Sequence, residues 1–274
     1  IGKRLAQMNE AGRRAVEREA ILGPRGGWVA IEQLWGADAG AAPARLDAAI
    51  EEARMAGLLE VVGEAPKRIR FHHGMIHEVV YRSIGAERRA RLHWLAGTRG
   101  EERVGAEPLP PQTIAEHLVR GVSVGTPARA RRACERAARA AAERGAFAMA
   151  TAFWRQSLDL SAREPAVDRR AMAELRIELA SSLLVAGQPD AAEHNAELAI
   201  EAARELGDAQ LQARAVLSDG PLIDLGGAVD EASVRRIEES LARLEPHDSP
   251  LRVRLLGRLA WVRHHQRDGG AARL

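Results

Sequence analysis

A chain of 274 residues, 46% hydrophobic and 28% charged, has room for two domains or for one domain and a repeat array, and its apolar content excludes disorder as the default. The formal net charge is only +2, so a basic balance gives little argument for nucleic acid. No apolar run approaches the roughly 18 residues of a membrane span, and the single cysteine, Cys134, excludes an internal disulfide framework and fits a reducing, cytoplasmic setting.

Aromatic residues make up 3%, while Ala, Leu, Arg and Glu dominate. These are strong helix formers, and composition alone therefore favours an all-α protein. Nearly every basic residue is arginine; Lys3 and Lys67 are the two lysines. The N-terminal run IGKRLAQMNEAGRR starts in the middle of a pattern without Met, and the helical C-terminal half ends without a capping helix; we read the chain as a fragment of a longer protein, truncated at its C-terminus.

The spacing predicts a first helix over Asn9–Leu22, capped by Asn9 with Glu10 in its first turn and stopped by GPRGG at 23–27. A short helix is expected at Val29–Trp35, followed by the loop GADAGAAP, whose Pro43 suits the opening of a third helix at about Ala44–Ala56. Leu46, Ala49, Ile50 and Ala53 form one face of that helix, and Gly57 caps its end. Leu58–Val62 and Arg68–Phe71 read as two short strands around the turn GEAPK. Helices follow at about Met75–Ile84 and Glu87–Thr98. Helices, a two-stranded wing and a further helix together describe a winged helix-turn-helix over residues 1–98.

Residues 99–112 form a polar, Gly/Pro-rich linker, and 113–274 repeat a helix-pair pattern. The segment ELRIELASSLLVAGQPDAAEHNAELAIEAARELGD resembles a tetratricopeptide repeat: Ala180 sits at the small position of its first helix, Gly187 at the turn, and Ala192, Ala196 and Ala199 at the small positions of the second. Small residues belong there because antiparallel helices approach closely only where side chains are short. Ala138, Gly145 and Ala150 repeat the pattern upstream with Trp154 at a large position; Gly220, Gly227 and Ala232 repeat it more weakly downstream, and a further first helix begins near Leu251. The turn glycines recur at about 40 residues, against 34 for the standard repeat. The expected fold is all-α: a winged helix followed by a tetratricopeptide-like α-solenoid.

At the wing, the run AGLLEVV with IRFHHGMIHEVVYRSIGAERRARLHWLAG resembles the bacterial STAND ATPases, signal-transducing NTPases with numerous domains. It looks most like the large LuxR-type regulators of actinobacteria and the ATPase modules attached to some adenylate cyclases. The resemblance covers 1–98 and the repeat region 113–274. It implies a nucleotide switch. In the related immune ATPases of plants and animals, a Met-His-Asp motif in the winged helix carries a histidine that senses the ADP phosphate. His73 stands at that place, preceded by His72, with Gly74 where the Asp is expected. An imidazole just before a helix can donate to a phosphate oxygen near the helix N-terminus, where anions are favoured.

No G-x-x-x-x-G-K-S/T loop occurs, so the chain is expected not to be an enzyme by itself; ATP or ADP belongs to the parent protein, and no cofactor to this part. The partners implied are an upstream ATPase domain in the same chain and an inducer or protein on the repeats, with DNA only through an effector domain elsewhere and no membrane. His73 and His77 form H-x-x-x-H without an evident third ligand, so no metal site is expected. His264 and His265 read as a solvated face. Trp154, Arg155, Trp261 and Arg263 are anchor types for a partner, although tryptophans more often fill gaps between helices.

Two other readings remain open. A DNA-binding winged-helix regulator with a repeat dimerisation region would read DNA through the third helix, but Asp47, Glu51 and Glu52 there oppose Arg45 and Arg54, which leaves ERRARLHW at 87–94 as the better basic stretch. A passive protein-binding scaffold is the other.

Overall fold

The structure is a computed structural model that describes residues 1–23, 31, 34–35, 43–63, 68–102, 109–218 and 231–271, with the side chains of 43–44 and 265–271 left aside. The expected turn GPLIDLGG, most of GEAPK, GPRGG and GADAGAAP, and most of the helix at Val29–Trp35 lie outside the described residues; Ile31, Leu34 and Trp35 are helical and buried. The chain forms two compact units, Ile1–Ala133 and Cys134–Leu274.

The first unit opens with α1 (Gly2–Gln7) and α2 (Glu10–Leu22). Asn9 caps α2 as expected, its side chain accepting from the Gly12 amide at 2.9 Å. α3 (Pro43–Met55) packs on α2 and ends at Gly57, whose φ of +67° closes the helix; the Leu58 amide then bonds to the Ala53 carbonyl. β1 (Leu59–Val62) and β2 (Arg68–Phe71) pair antiparallel, Leu59 opposite Phe71 and Val62 opposite Arg68. Leu59 and Ile69 point into the core, and Glu60 pairs with Arg70 on the open side.

α4 (Gly74–Ser83) and α5 (Ala86–Glu101) complete this core, which gathers Val16, Ala20, Leu46, Ile50, Leu58, Ile76, Val80 and Leu92. α5 continues to Glu101, past the expected end at Thr98. Beyond it α6 (Pro111–Arg120) packs on α5 at very short range, and a single 3-10 turn (Val122–Val124) follows. Glycines permit this approach. A Cβ on Gly97 would meet the Leu118 side chain at 2.6 Å, and one on Gly121 would meet the Trp94 backbone nitrogen at 2.5 Å.

α7 (Pro127–Glu143) is followed in the second unit by α8 (Phe147–Ser161), α9 (Arg169–Val185), α10 (Pro189–Glu205), α11 (Ala209–Leu217), α12 (Glu231–Arg243) and α13 (Pro250–Ala271). The alanine seam is as expected: Ala138, Ala150, Ala180, Ala192, Ala196 and Ala199 are all fully buried. Gly145 and Gly187 turn the chain at φ +73° and +74°. Gly207 does the same at +67° between α10 and α11, a turn the expected repeat boundaries passed over. Each helix pair is thus stopped by a residue that takes positive φ without steric cost. Of the weaker third repeat, Gly220 and Gly227 lie outside the described residues and Ala232 is half-buried. α13 begins at Pro250, beside the expected Leu251.

Candidate functional site

His73 is the N-cap residue of α4, extended at φ −143° and ψ 145°, two residues after the end of β2. Its backbone carbonyl accepts from the Ile76 amide at 2.9 Å, while its side chain makes no capping bond. The imidazole is exposed, and the ring of His72 lies 4.8 Å away. Met75 and Val79, one turn apart on α4, are 78% and 41% exposed. His73 is therefore exposed at the N-terminus of α4.

His77 is not its companion. Its Nε2 lies 2.9 Å from the Ala20 carbonyl, to which it donates, and its ring packs edge-on against Phe71. Among the described residues no three His, Cys, Asp or Glu side chains gather as a metal-binding group.

The structure brings together a polar cluster with no spacing motif in the sequence. The Tyr81 hydroxyl lies 2.9 Å from His93 Nε2, and His93 Nδ1 lies 2.9 Å from His117 Nδ1. His93 and His117 are buried, on α5 and α6. Burial pushes His93 down to about 3, with the positive potential of His117, Arg120 and Arg89 adding to it; burial and then Arg120 push His117 down to about 4. Both rings are therefore neutral near pH 7. A neutral imidazole has one donor and one acceptor nitrogen, so the chain must run in one direction. Either Tyr81 donates to His93 and His93 to His117, or the order is reversed. The available sequence signal was weak: each histidine lies beside apolar helix positions, Leu92 and Ala96 for one, Ala115 and Leu118 for the other.

Both ends of this chain reach one cleft of about 640 Å³. It is bounded by the last turn of α2 with Ile21 and Leu22, by His77, Glu78 and Tyr81 of α4, and by Thr113, Glu116, His117 and Arg120 of α6. Elsewhere on α2, the Glu19 carboxyl is buried, its Oε2 without a hydrogen-bond partner, and burial raises it to about 9. Arg18 is buried next to it, its guanidinium 5.1 Å above the Trp35 ring.

The other charged candidates are engaged locally. On ERRARLHW, Arg88 pairs with Glu17 at 2.7 Å, Arg91 pairs with Glu87, and Arg89 lies over the Tyr81 ring while donating to the Tyr81 and Ile84 carbonyls. On α3, Arg54 makes two bonds to Glu51, at 2.8 and 2.6 Å, and Glu52 accepts from the Asn9 amide. Trp154 is 3% exposed with Arg139 over its ring, so it fills an interhelical gap and presents no anchor. Trp261 is 50% exposed, Arg155 bonds to Gln188, and Arg263 to Glu238. His264 is exposed; the His265 side chain lies outside the described residues. Cys134 is buried and its thiol is pushed up to about 12, chiefly by burial, so it is inert as a nucleophile.

No family model matches the chain, and no curated protein matches it. A solved structure that is similar is a Signal Transduction ATPase with Numerous Domains (STAND) protein with a tetratricopeptide repeat sensor from Pyrococcus horikoshii, at 14% identity and a TM-score of 0.37, over 96% of this chain and 42% of that one. The chain thus spans less than half the length of that protein. Among the described residues no helix is long and apolar enough to cross a membrane.

Proposed function

We propose that this chain is the regulatory and interaction part of a cytoplasmic signal-transducing ATPase of the LuxR-type class, acting in transcription regulation and having no catalytic activity of its own. In this reading residues 1–98 are a winged helix that docks on an upstream ATPase domain and reports whether ADP or ATP is bound. The linker 99–112 leads to helical repeats over 113–274, which bind an inducer or a protein partner. Each ligand shifts the same closed-to-open equilibrium, so the two sites are coupled. DNA is contacted by an effector domain elsewhere in the parent protein.

The observation that carries this reading is the setting of His73. It is exposed, caps no backbone group with its side chain, and stands between a wing strand and the N-terminus of α4. An imidazole so placed has a donor to offer a phosphate, beside the partial positive end of a helix. Met75 and Val79, exposed on the same helix, offer apolar contact to a docked domain. The seam of buried alanines supports the repeat assignment, since stacked helix pairs need short side chains where they meet.

The test is nucleotide affinity in the intact parent protein. His73→Ala is expected to weaken ADP binding about tenfold, the worth of one charge-assisted hydrogen bond, with a smaller effect on ATP. Unchanged ADP affinity overturns the sensor role. His73 is exposed, so the substitution leaves the fold intact.

A further inference from the structure

The cleft between α2, α4 and α6 has the size of a small-molecule site, about 640 Å³ against roughly 300–1,000 Å³ for ligand pockets in general. Its lining combines three chemistries. Ile21 and Leu22 give an apolar floor. Tyr81 and His77 present two stacked rings, 6.0 Å between centres and 21° from parallel. Glu116 and Arg120 give one negative and one positive group, both exposed and one helical turn apart on α6.

The charged pair is the unusual part. A Glu and an Arg at i and i+4 commonly pair with each other, and Arg14 with Glu10 and Arg82 with Glu78 do so here. The Glu116 and Arg120 side chains make no ion pair or hydrogen bond among the described residues. Glu78, the other acid of the lining, is already held by Arg82 at 2.6 Å. The cleft therefore offers one open cation and one open anion above an apolar floor.

We propose that this cleft binds a small zwitterion of the amino-acid type, its carboxylate on Arg120, its ammonium on Glu116 and its apolar side chain against Ile21 and Leu22. The Tyr81–His93–His117 chain feels the occupant, because both of its ends line the cleft while His93 lies behind. A ligand group that donates to His117 or Tyr81, or accepts from either, selects one of the two hydrogen-bond directions and thereby the tautomer of buried His93. The α5–α6 packing around His93 and His117 is in this way linked to occupancy. This assignment is independent of the ATPase reading, since it needs only residues of the first unit.

The experiment uses the 274-residue chain with ¹⁵N-labelled histidine. L-Phenylalanine and L-leucine are titrated to millimolar concentration while the ring nitrogens of His93 and His117 are followed, with 2-phenylethylamine and 3-phenylpropionate as single-charge controls. The expected result is a saturable change at both rings with at least one amino acid, and binding of both controls at least about tenfold weaker, as loss of one charge-assisted contact implies. Arg120→Gln and Glu116→Gln are each expected to lower amino-acid affinity by a similar factor at an unchanged melting temperature, since both side chains are exposed. No saturable change with any of the four probes overturns the site. Equal binding of a control, or full affinity in either variant, overturns the zwitterion assignment.

Discussion

Buried ionisable side chains that prefer their neutral form set the pH response of the first unit. His93 and His117 take up a proton near pH 6.5 in the unfolded chain but only near 3 and 4 when folded. Between those values the unfolded state binds more protons, so stability is fully present above about pH 6.5 and is lost as the pH falls toward 4. Denaturant midpoints measured from pH 7 to pH 4 should decline, and the double variant His93→Leu with His117→Leu should flatten the decline. An unchanged slope in that variant would show that other groups govern acid unfolding. Glu19 has the opposite sign. Its folded value is raised from 4.5 to about 9, so its contribution is present below pH 4.5 and is lost as the pH rises toward 9. Glu19→Gln keeps the shape and removes the ionisation, and is expected to raise stability at pH 8 by about 1–3 kcal/mol while leaving it unchanged at pH 4. Thermal unfolding at the two pH values decides it.

Helix ends and helix crossings carry the next level of organisation, and glycine plays different parts in each. Gly121 lies where α5 and α6 cross, and a Cβ there would sit 2.5 Å from the Trp94 nitrogen and 2.8 Å from the Ala90 carbonyl. Backbone atoms cannot rotate away as a side-chain tip can. Gly121→Ala should therefore cost about 2–3 kcal/mol through overpacking. Gly257 lies in α13 with nothing within 4 Å of its Cβ position and without positive φ. Gly257→Ala should stabilise by about 0.5–1 kcal/mol, because it removes chain freedom from the unfolded state at no steric cost. A stabilised Gly121→Ala variant would show that the crossing at Trp94 has room for a methyl group. Asp208 serves two elements, capping α11 through the Leu211 amide at 2.9 Å and holding Arg170 of α9 at 2.5 Å. Asp208→Ala is expected to lower stability by about 1 kcal/mol, the usual worth of an N-cap.

For the molecule as a whole, periodic features could be read in the sequence and long-range polar contacts could not. Apolar spacing and punctuation by Asn9, Gly57, Gly145 and Gly187 place α2, α3 and the helix pairs within a few residues, because capping and turn geometry are local. Alternation over Leu59–Val62 and Arg68–Phe71 places the hairpin for the same reason. Tyr81, His93 and His117 come from three helices, and nothing in their spacing requires them to meet. Trp154 fills an interhelical gap, the commoner role for a tryptophan, and only its burial separates that role from a recognition anchor. Charge also changes meaning once the chain is folded. In sequence, ERRARLHW offers three arginines to a phosphate backbone, and α3 adds Arg45 and Arg54. In the structure, Arg88, Arg89, Arg91 and Arg54 are all engaged, and the exposed face of α3 carries Asp47 and Glu51 besides Arg45. On these two stretches the arginines other than Arg45 are held by groups of the chain itself, and counterion release supplies most non-specific DNA affinity. The chain is therefore expected to leave a labelled 30-base-pair duplex unshifted at 50 mM salt up to micromolar protein. A shift that weakens steeply between 50 and 200 mM salt would mean that these arginines exchange their intramolecular carboxylates for phosphates, and would turn the first unit into a DNA reader in its own right.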